Sequence, residues 1–129
     1  MNLSRILFSF QGRIRRTTYW LAGIGVSMVF FVTWGVLAIA SGAVAKGLAG
    51  LASPQFLALI AAFLWIHLAI AAKRCHDRGY SALMTLLLFV PVIGGLWALI
   101  DLGFIPGTLD RNKYGLSPKT SSLAVSAAA

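Results

Sequence analysis

The sequence predicts an all-α fold: a small multi-pass membrane helix bundle with about three transmembrane helices. Of the 129 residues, 59% are hydrophobic and only 11% are charged, and the mean hydropathy is +0.85. Soluble domains are usually about 45–50% apolar and about 25% charged. A small soluble core has no place for this excess of apolar side chains, whereas a bilayer supplies one.

Three long uncharged runs carry this prediction. Residues 17–45, 47–72 and 79–100 contain no Asp, Glu, Lys or Arg. A helix of about 20 apolar residues crosses about 30 Å of hydrocarbon, and each run is long enough. A buried helix of a soluble protein would have a shorter apolar run and a polar face.

The first sixteen residues predict a short interfacial helix rather than a secretory signal. Basic residues follow the apolar piece where a signal would have a small-residue cleavage site. The apolar side chains recur three or four residues apart and would form one helical stripe: Leu3, Ile6, Leu7 and Phe10. The basic side chains would point to lipid headgroups: Arg5, Arg13, Arg15 and Arg16.

The first two runs predict full transmembrane helices. The first begins near Thr17, and Tyr19 and Trp20 follow at the depth where amphipathic aromatic rings settle. A loop around Lys46 leads to the second helix, which begins at Pro54.

One histidine, His67, lies inside the second run. An ionisable side chain at this depth must face a partner or a cavity rather than lipid. We interpret it as a neutral imidazole bonded to a neighbouring helix, in preference to a proton relay.

The third run is predicted to be kinked or broken near Pro91, which cannot donate a backbone hydrogen bond. Two folds fit: one kinked span, or a hairpin that turns back within the membrane. Each half of the run would be roughly 16–21 Å long as a helix, too short to cross alone. We prefer the kinked span, because a hairpin must satisfy the backbone groups of its turn at membrane depth.

The distribution of Lys and Arg predicts which side each segment faces. The N-terminal segment has four and the loop over residues 73–79 has three, but the loop around Lys46 has one. Positive segments stay inside, so the N-terminus is expected in the cytoplasm. A full third span would export the basic tail, whereas a hairpin would keep it cytoplasmic. We expect one integral membrane domain over residues 1–118 and a disordered tail over residues 119–129.

The most polar stretch is "KRCHDRGYS", residues 73–81. Asp77 is expected to pair with Arg74 or Arg78 on the end of the helix. His76 and Asp77 are adjacent and would not face each other, which argues against a catalytic dyad. A single cysteine, Cys75, excludes an intrachain disulfide, and the stretch has too few ligands for a metal. We therefore expect no metal, no cofactor and a polar clamp on lipid phosphate or other polar segments.

Three segments, "FQGRIRRTTYW", "KRCHDRGYS" and "PGTLDRNKYGLSP", occur in this order with apolar runs between them. Together they resemble the bacterial inner-membrane family known as "domain of unknown function 805". The resemblance implies a location and an architecture, and no established activity. The matching positions are Phe10, Gly12, Arg13, Arg16, Tyr19, Trp20, Arg74, His76, Asp77, Ser81, Gly107, Thr108, Asn112, Tyr114, Gly115 and Pro118.

The function expected is that of a small multi-pass inner-membrane protein without enzymatic activity: an accessory protein, scaffold or subunit. The alternative is a component of a small transporter or channel that uses the intramembrane polar residues His67 and Asp101. A third hypothesis is an enzyme that acts on lipid headgroups through His76 and Asp77.

The partners expected are anionic lipid headgroups at the basic segments, and a second copy or another membrane protein. Nucleic acid is not expected, although the formal net charge is +8. The basic residues lie at the ends of apolar runs, where they meet headgroups, and not along one soluble surface.

Overall fold

The computed structural model describes residues 2–127, and these residues contain helices but no strand. The all-α prediction is therefore confirmed for this part of the chain. One 3₁₀ helix spans Ala82–Phe89, and one π-helical segment spans Ala98–Phe104. The α-helices are α1 (Leu3–Phe8), α2 (Arg16–Ala40), α3 (Gly47–Leu51), α4 (Pro54–Asp77), α5 (Ile93–Trp97) and α6 (Pro118–Ala127).

Helices α2 and α4 have 25 and 24 residues and are long and apolar enough to cross a membrane. They pack antiparallel, since Phe30 lies 4.1 Å from Phe63 while Trp34 lies 4.7 Å from Phe56, measured between ring centroids. Most of the apolar surface of α2 is uncovered, and Ala38 is its one buried residue. Such a surface is stable in lipid and unusual on a soluble monomer.

The third apolar run forms a helical hairpin and not the kinked full-length span that we preferred. The 3₁₀ helix runs to Phe89, the chain turns over Val90–Val92, and α5 returns beside it. The returning helix α5 packs so closely that a side chain at Gly94 would overlap the Leu87 carbonyl. Among the described residues, two helices have the length of a span, not three.

The turn of the hairpin makes backbone hydrogen bonds of its own, which weakens the objection to this fold. Gly94 N donates to Val90 O at 2.9 Å, and Val90 N donates to Leu87 O at the same distance. Val90 is extended, as the residue before a proline prefers to be. Val92 takes a positive φ of 66°, which reverses the chain.

The end of α4 is the most enclosed part of the molecule. All nine residues from Ala69 to Asp77 are buried, beneath α1, the hairpin and the segment 105–117 that precedes α6. Cys75 packs there against Ala71, Ala98 and Leu102, as expected for a small buried residue. This enclosure places Lys73, Arg74, His76 and Asp77 inside the protein.

The two ends of the chain were predicted as an interfacial helix and a disordered tail. A helix, α1, is present at the start, and Leu3 and Phe8 on it are exposed. Helix α6 begins at Pro118, and residues 1, 128 and 129 lie outside the described residues. The division into a domain over 1–118 and a disordered tail over 119–129 stays a prediction.

Candidate functional site

Asp77, the last residue of α4, is bound by two arginines from different segments. Arg13 donates from Nε to Oδ1 at 3.1 Å, and its Nη2 lies 3.0 Å from the same oxygen. Arg74 Nη1 donates to Oδ2. All three residues are buried, with at most 6% of their surface exposed. A buried carboxylate between two guanidinium groups stabilises a fold only if the remaining donors also find acceptors.

Backbone carbonyls accept these remaining bonds. Arg13 Nη1 donates to the carbonyls of Asp110 and Gly115, each at 3.0 Å. Arg74 donates from Nε to Leu102 O at 2.7 Å and from Nη2 to Ile105 O at 2.6 Å. Arg13 therefore holds the segment 105–117, and Arg74 holds the end of the hairpin.

Gly107 and Thr108 close the C-terminal end of α4. A side chain at Gly107 would overlap the Asp77 carboxylate, so this position accepts only glycine without a shift of the chain. Thr108 donates to Asp77 O from its backbone N at 2.8 Å and from its hydroxyl at 3.1 Å. A helix end buried without such donors would leave carbonyl groups unsatisfied.

His76 points away from the Asp77 carboxylate and binds other segments. Its Nδ1 donates to Gly12 O at 3.2 Å, and its ring stacks on Tyr114 with centroids 3.8 Å apart. Asn112 Nδ2 donates to His76 O at 2.9 Å. Gly12 and Gly115 have φ values of 95° and 119°, a conformation that favours glycine. The arrangement agrees with the expectation that His76 and Asp77 form no dyad.

Arg78 joins the two ends of the third run. Its Nη2 donates to Asp101 Oδ1 at 2.9 Å, and its Nη1 donates to Pro106 O at 2.9 Å. The hydrogen bond to Asp101 raises the pKa of Arg78 above its ordinary value. Asp77 was expected to pair with Arg74 or Arg78; it pairs with Arg74, and Arg13 is its second partner. Asp101, near the end of the run, is thus paired with the arginine that precedes the run.

The other predicted site residues lie around the cluster or away from it. Trp20 Nε1 donates to Gly103 O at 3.1 Å, and Arg16 Nη1 donates to Phe104 O at 3.4 Å, so α2 also touches the hairpin. Phe10 packs edge-on against Trp65, Tyr19 packs on the Cys75 cluster, and Ser81 caps the 3₁₀ helix. A functional role for any of these residues stays a prediction. The predicted site residues that the structure brings together with Asp77 are Gly12, Arg13, Arg74, His76, Asn112, Tyr114 and Gly115.

His67 lies apart from this cluster and has partners of its own. Its Nε2 is 3.3 Å from Ser27 Oγ on α2, and its Nδ1 is 3.1 Å from Phe63 O. The expected bond to a neighbouring helix is thus confirmed. His67 precedes Arg78 by eleven residues, roughly 16 Å along a helix. The His67 and Asp101 side chains therefore belong to separate polar contacts.

Lys73 is a buried residue that the sequence interpretation assigned to the headgroup region. Its ammonium group donates to Arg5 O at 3.1 Å and to Ser9 O, so it ties α1 to α4. The sequence contained one indication of this burial. Lys73 lies three residues before His76 and four before Asp77, so the three share one face of the helix. Arg74 was expected to hold either lipid phosphate or other polar segments, and its fully buried side chain binds other segments through the carbonyls of Leu102 and Ile105.

The fold and the cluster define an all-α protein with two apolar helices of membrane-span length and a buried ionic centre at one end. Residues 7–116 match the family described as "Protein of unknown function (DUF805)". The chain belongs to this family. The resemblance carried by the three sequence segments is therefore confirmed.

Two proteins of Escherichia coli (strain K12) align with most of the chain. "Uncharacterized protein YiiR" is 32% identical, and the alignment covers 89% of each chain. "Inner membrane protein YhaI" is 36% identical, and the alignment covers 88% of each chain. No solved structure matches. The name of the second relative and the two apolar helices support a membrane protein of unknown function.

Proposed function

We propose that this chain is a multi-pass inner-membrane protein with an accessory role, a scaffold or subunit and not an enzyme. One observation carries the proposal: the buried charged groups Arg13, Arg74 and Asp77 of the motif segments bind one another. Asp77 accepts from Arg13 and Arg74, and the other donors of both arginines reach backbone carbonyls. A general base needs a carboxylate or imidazole that can take a substrate proton, whereas both oxygens of this carboxylate already accept bonds from arginines.

The topology we propose has two spans and one re-entrant hairpin. Helices α2 and α4 cross the membrane, and the hairpin enters and leaves on the cytoplasmic side. Its returning helical stretch, Ile93–Phe104, has 12 residues, or about 18 Å, little more than half of a hydrocarbon core of about 30 Å. The Arg78–Asp101 bond supports this topology because it joins the two ends of the run.

The hairpin topology also agrees with the distribution of basic residues. It puts the N-terminal segment, the end of α4 and the segment 105–117 on one side, which is the cytoplasm by the positive-inside rule. Lys46 then faces the periplasm. A full third span would have exported Arg111, Lys113 and Lys119.

The partner we propose is a second membrane-embedded chain, which packs on the uncovered face of α2. Met28 and Val32 lie one helical turn apart on that face, and 64% and 65% of their surfaces are exposed. Gly23 and Ser27 border the same face, and small residues allow helices to approach closely. The transporter alternative receives less support, because His67 and Asp101 each have a separate partner.

Photo-crosslinking in native membranes tests the accessory role. A benzophenone amino acid replaces Met28 or Val32 in the full chain, and the same group at exposed Lys113 is the control outside the membrane. We expect a discrete protein adduct from the α2 positions, either a dimer of this chain or one other protein. Adducts with lipid alone would contradict the scaffold proposal. A solute flux in liposomes that is lost in both His67→Ala and Asp101→Asn would support transport instead.

A further inference from the structure

A cavity of about 200 Å³ opens beside the Asp77 cluster, between the first turn of α2 and the first turn of α6. Asp77 and Arg74 form part of its inner wall, and α2, the segment 105–117 and α6 form the rest. Arg15 Nη2 donates to Pro118 O at 2.7 Å, which holds the starts of the two helices against one another. The polar side chains that line the remainder are Arg15, Arg16, Thr17, Thr108, Ser117 and Lys119.

Basic side chains outnumber acidic ones in the wall of this cavity. Asp77 is the acidic residue in its wall, and Arg13 and Arg74 already compensate its charge. The remaining ionisable groups in the lining are the cations Arg15, Arg16 and Lys119. The first turn of α2 adds to them, because the side chain of its N-cap, Arg15, does not cap the N–H groups of the helix, and the N-terminus of a 25-residue helix favours an anion.

The cavity also lies at the depth of lipid headgroups if the proposed topology holds. Arg16 begins the apolar helix α2, and Trp20 one turn later binds the end of the hairpin. Leu109, in the wall, and Phe104, beside Trp20, expose 67% and 62% of their surfaces. A cationic opening bordered by apolar surface fits a molecule that has an anionic group and a hydrocarbon portion.

We infer that this cavity binds a phosphate group, supplied by the headgroup of an anionic phospholipid. The inference rests on the proposed function, since it requires this end of the protein to lie at the membrane surface. Arg16 is exposed and its guanidinium group can donate two parallel bonds to phosphate oxygens. Lys119 supplies a second cation from the opposite wall.

Calorimetric titration of the full chain in detergent tests this site. The probes are short-chain phosphatidylglycerol, phosphatidylcholine of the same chain length, and inorganic phosphate. The variants are Arg16→Gln and Lys119→Gln, both at exposed positions, and Arg111→Gln is the matched control because it removes one charge at the same end but outside the cavity. We expect each cavity variant to weaken phosphatidylglycerol binding about tenfold, the effect of one charge-assisted hydrogen bond, while Arg111→Gln retains wild-type affinity.

The outcomes distinguish a lipid phosphate from a soluble phosphate. They also distinguish failure of this site from failure of the proposed function. Phosphatidylglycerol binding that depends on Arg16 and Lys119 supports a lipid site, and inorganic phosphate binding with the same dependence supports a phosphate site that a soluble ligand fills. Equal affinities in the cavity variants and in Arg111→Gln overturn the site, as does the absence of binding by either anion. Cysteine labelling on the same variants shows whether the topology persists, so the site can fail while the proposed function stands.

Discussion

Arg78 and Asp101 lie 2.9 Å apart, although 23 positions separate them along the chain and the residues between them carry no charge. One residue follows α4 and the other lies near the end of the hairpin, so their bond closes the third apolar run into a loop. Their side chains are 18% and 13% exposed, so the pair lies largely below the protein surface. The pair therefore shows that the two ends of the run lie side by side, and it stabilises the folded hairpin.

Replacement of Asp101 by Asn is expected to lower the free energy of unfolding by roughly 1.5–3 kcal/mol, the usual contribution of a hydrogen bond to a charged group. Asp110→Asn is the matched control, since Asp110 is exposed, and its effect should stay within about 0.5 kcal/mol. Thermal unfolding in detergent measures both. Equal stabilities of the two variants would show that Asp101 is solvated and has no structural partner.

Topology can be measured with single cysteines in a Cys75→Ala background. Lys46→Cys is expected to react with a membrane-impermeant maleimide on spheroplasts with an intact inner membrane. Lys113→Cys is expected to react only after lysis, because the hairpin returns the chain to the side of the N-terminus. Reaction of Lys113→Cys in intact spheroplasts would establish a full third span and overturn the re-entrant hairpin.

Gly107 provides a test of the close packing at the end of α4. Gly107→Ala would push a methyl group into the Asp77 carboxylate, and such overpacking usually costs roughly 1–3 kcal/mol. Gly25→Ala is the control, because nothing lies within 4 Å of a side chain there and alanine favours a helix. We expect a lower melting temperature for the first variant and an unchanged or higher one for the second. A Gly107→Ala protein as stable as wild type would show that the segment 105–117 does not press on Asp77.

Asp77→Asn tests the ionic centre itself. The change keeps the shape of the side chain but leaves Arg13 and Arg74 as buried cations without a counter-charge, which commonly costs about 3–5 kcal/mol. We expect a large loss of folded protein, measured as the monodisperse fraction after extraction in detergent. Asp110→Asn again controls for loss of one negative charge. Recovery of folded protein in the triple variant Arg13→Gln, Arg74→Gln, Asp77→Asn would identify charge balance, and not the carboxylate alone, as the requirement.

The parts of this structure that follow from local sequence were predictable. The apolar runs located α2 and α4, and Pro54 marks the first residue of α4 as predicted. The contact of Arg74 with Asp77 follows from a spacing of three residues on a helix.

The parts that depend on distant segments were not predictable. A proline in an apolar run fits a kinked span and a hairpin equally well, and the contact that decides between them, Arg78 with Asp101, is non-local. The Arg13–Asp77 pair joins residues 64 positions apart. No periodicity in a single sequence encodes such a pair, and resemblance to a family identified both residues without indicating that they touch.

The last prediction concerns Lys73, whose ammonium group holds α1 against α4 through the carbonyls of Arg5 and Ser9. Lys73→Met keeps the length of the side chain but removes all three donors, so both carbonyls lose a charged partner. Since α1 has only six residues and none of them is buried, it has little else to hold it. We expect hydrogen exchange of residues 3–9 to accelerate at least tenfold, which corresponds to about 1.4 kcal/mol, while α2 and α4 keep their protection.

Lys113→Met is the matched control, because Lys113 is exposed and its cation contacts the Tyr114 ring. Its exchange over residues 3–9 should equal that of the wild type. Unchanged protection of residues 3–9 in Lys73→Met would mean that α1 is held by its apolar side chains and not by the ammonium group. Acceleration throughout α4 would mean that Lys73 stabilises the whole cluster and is not a local tie.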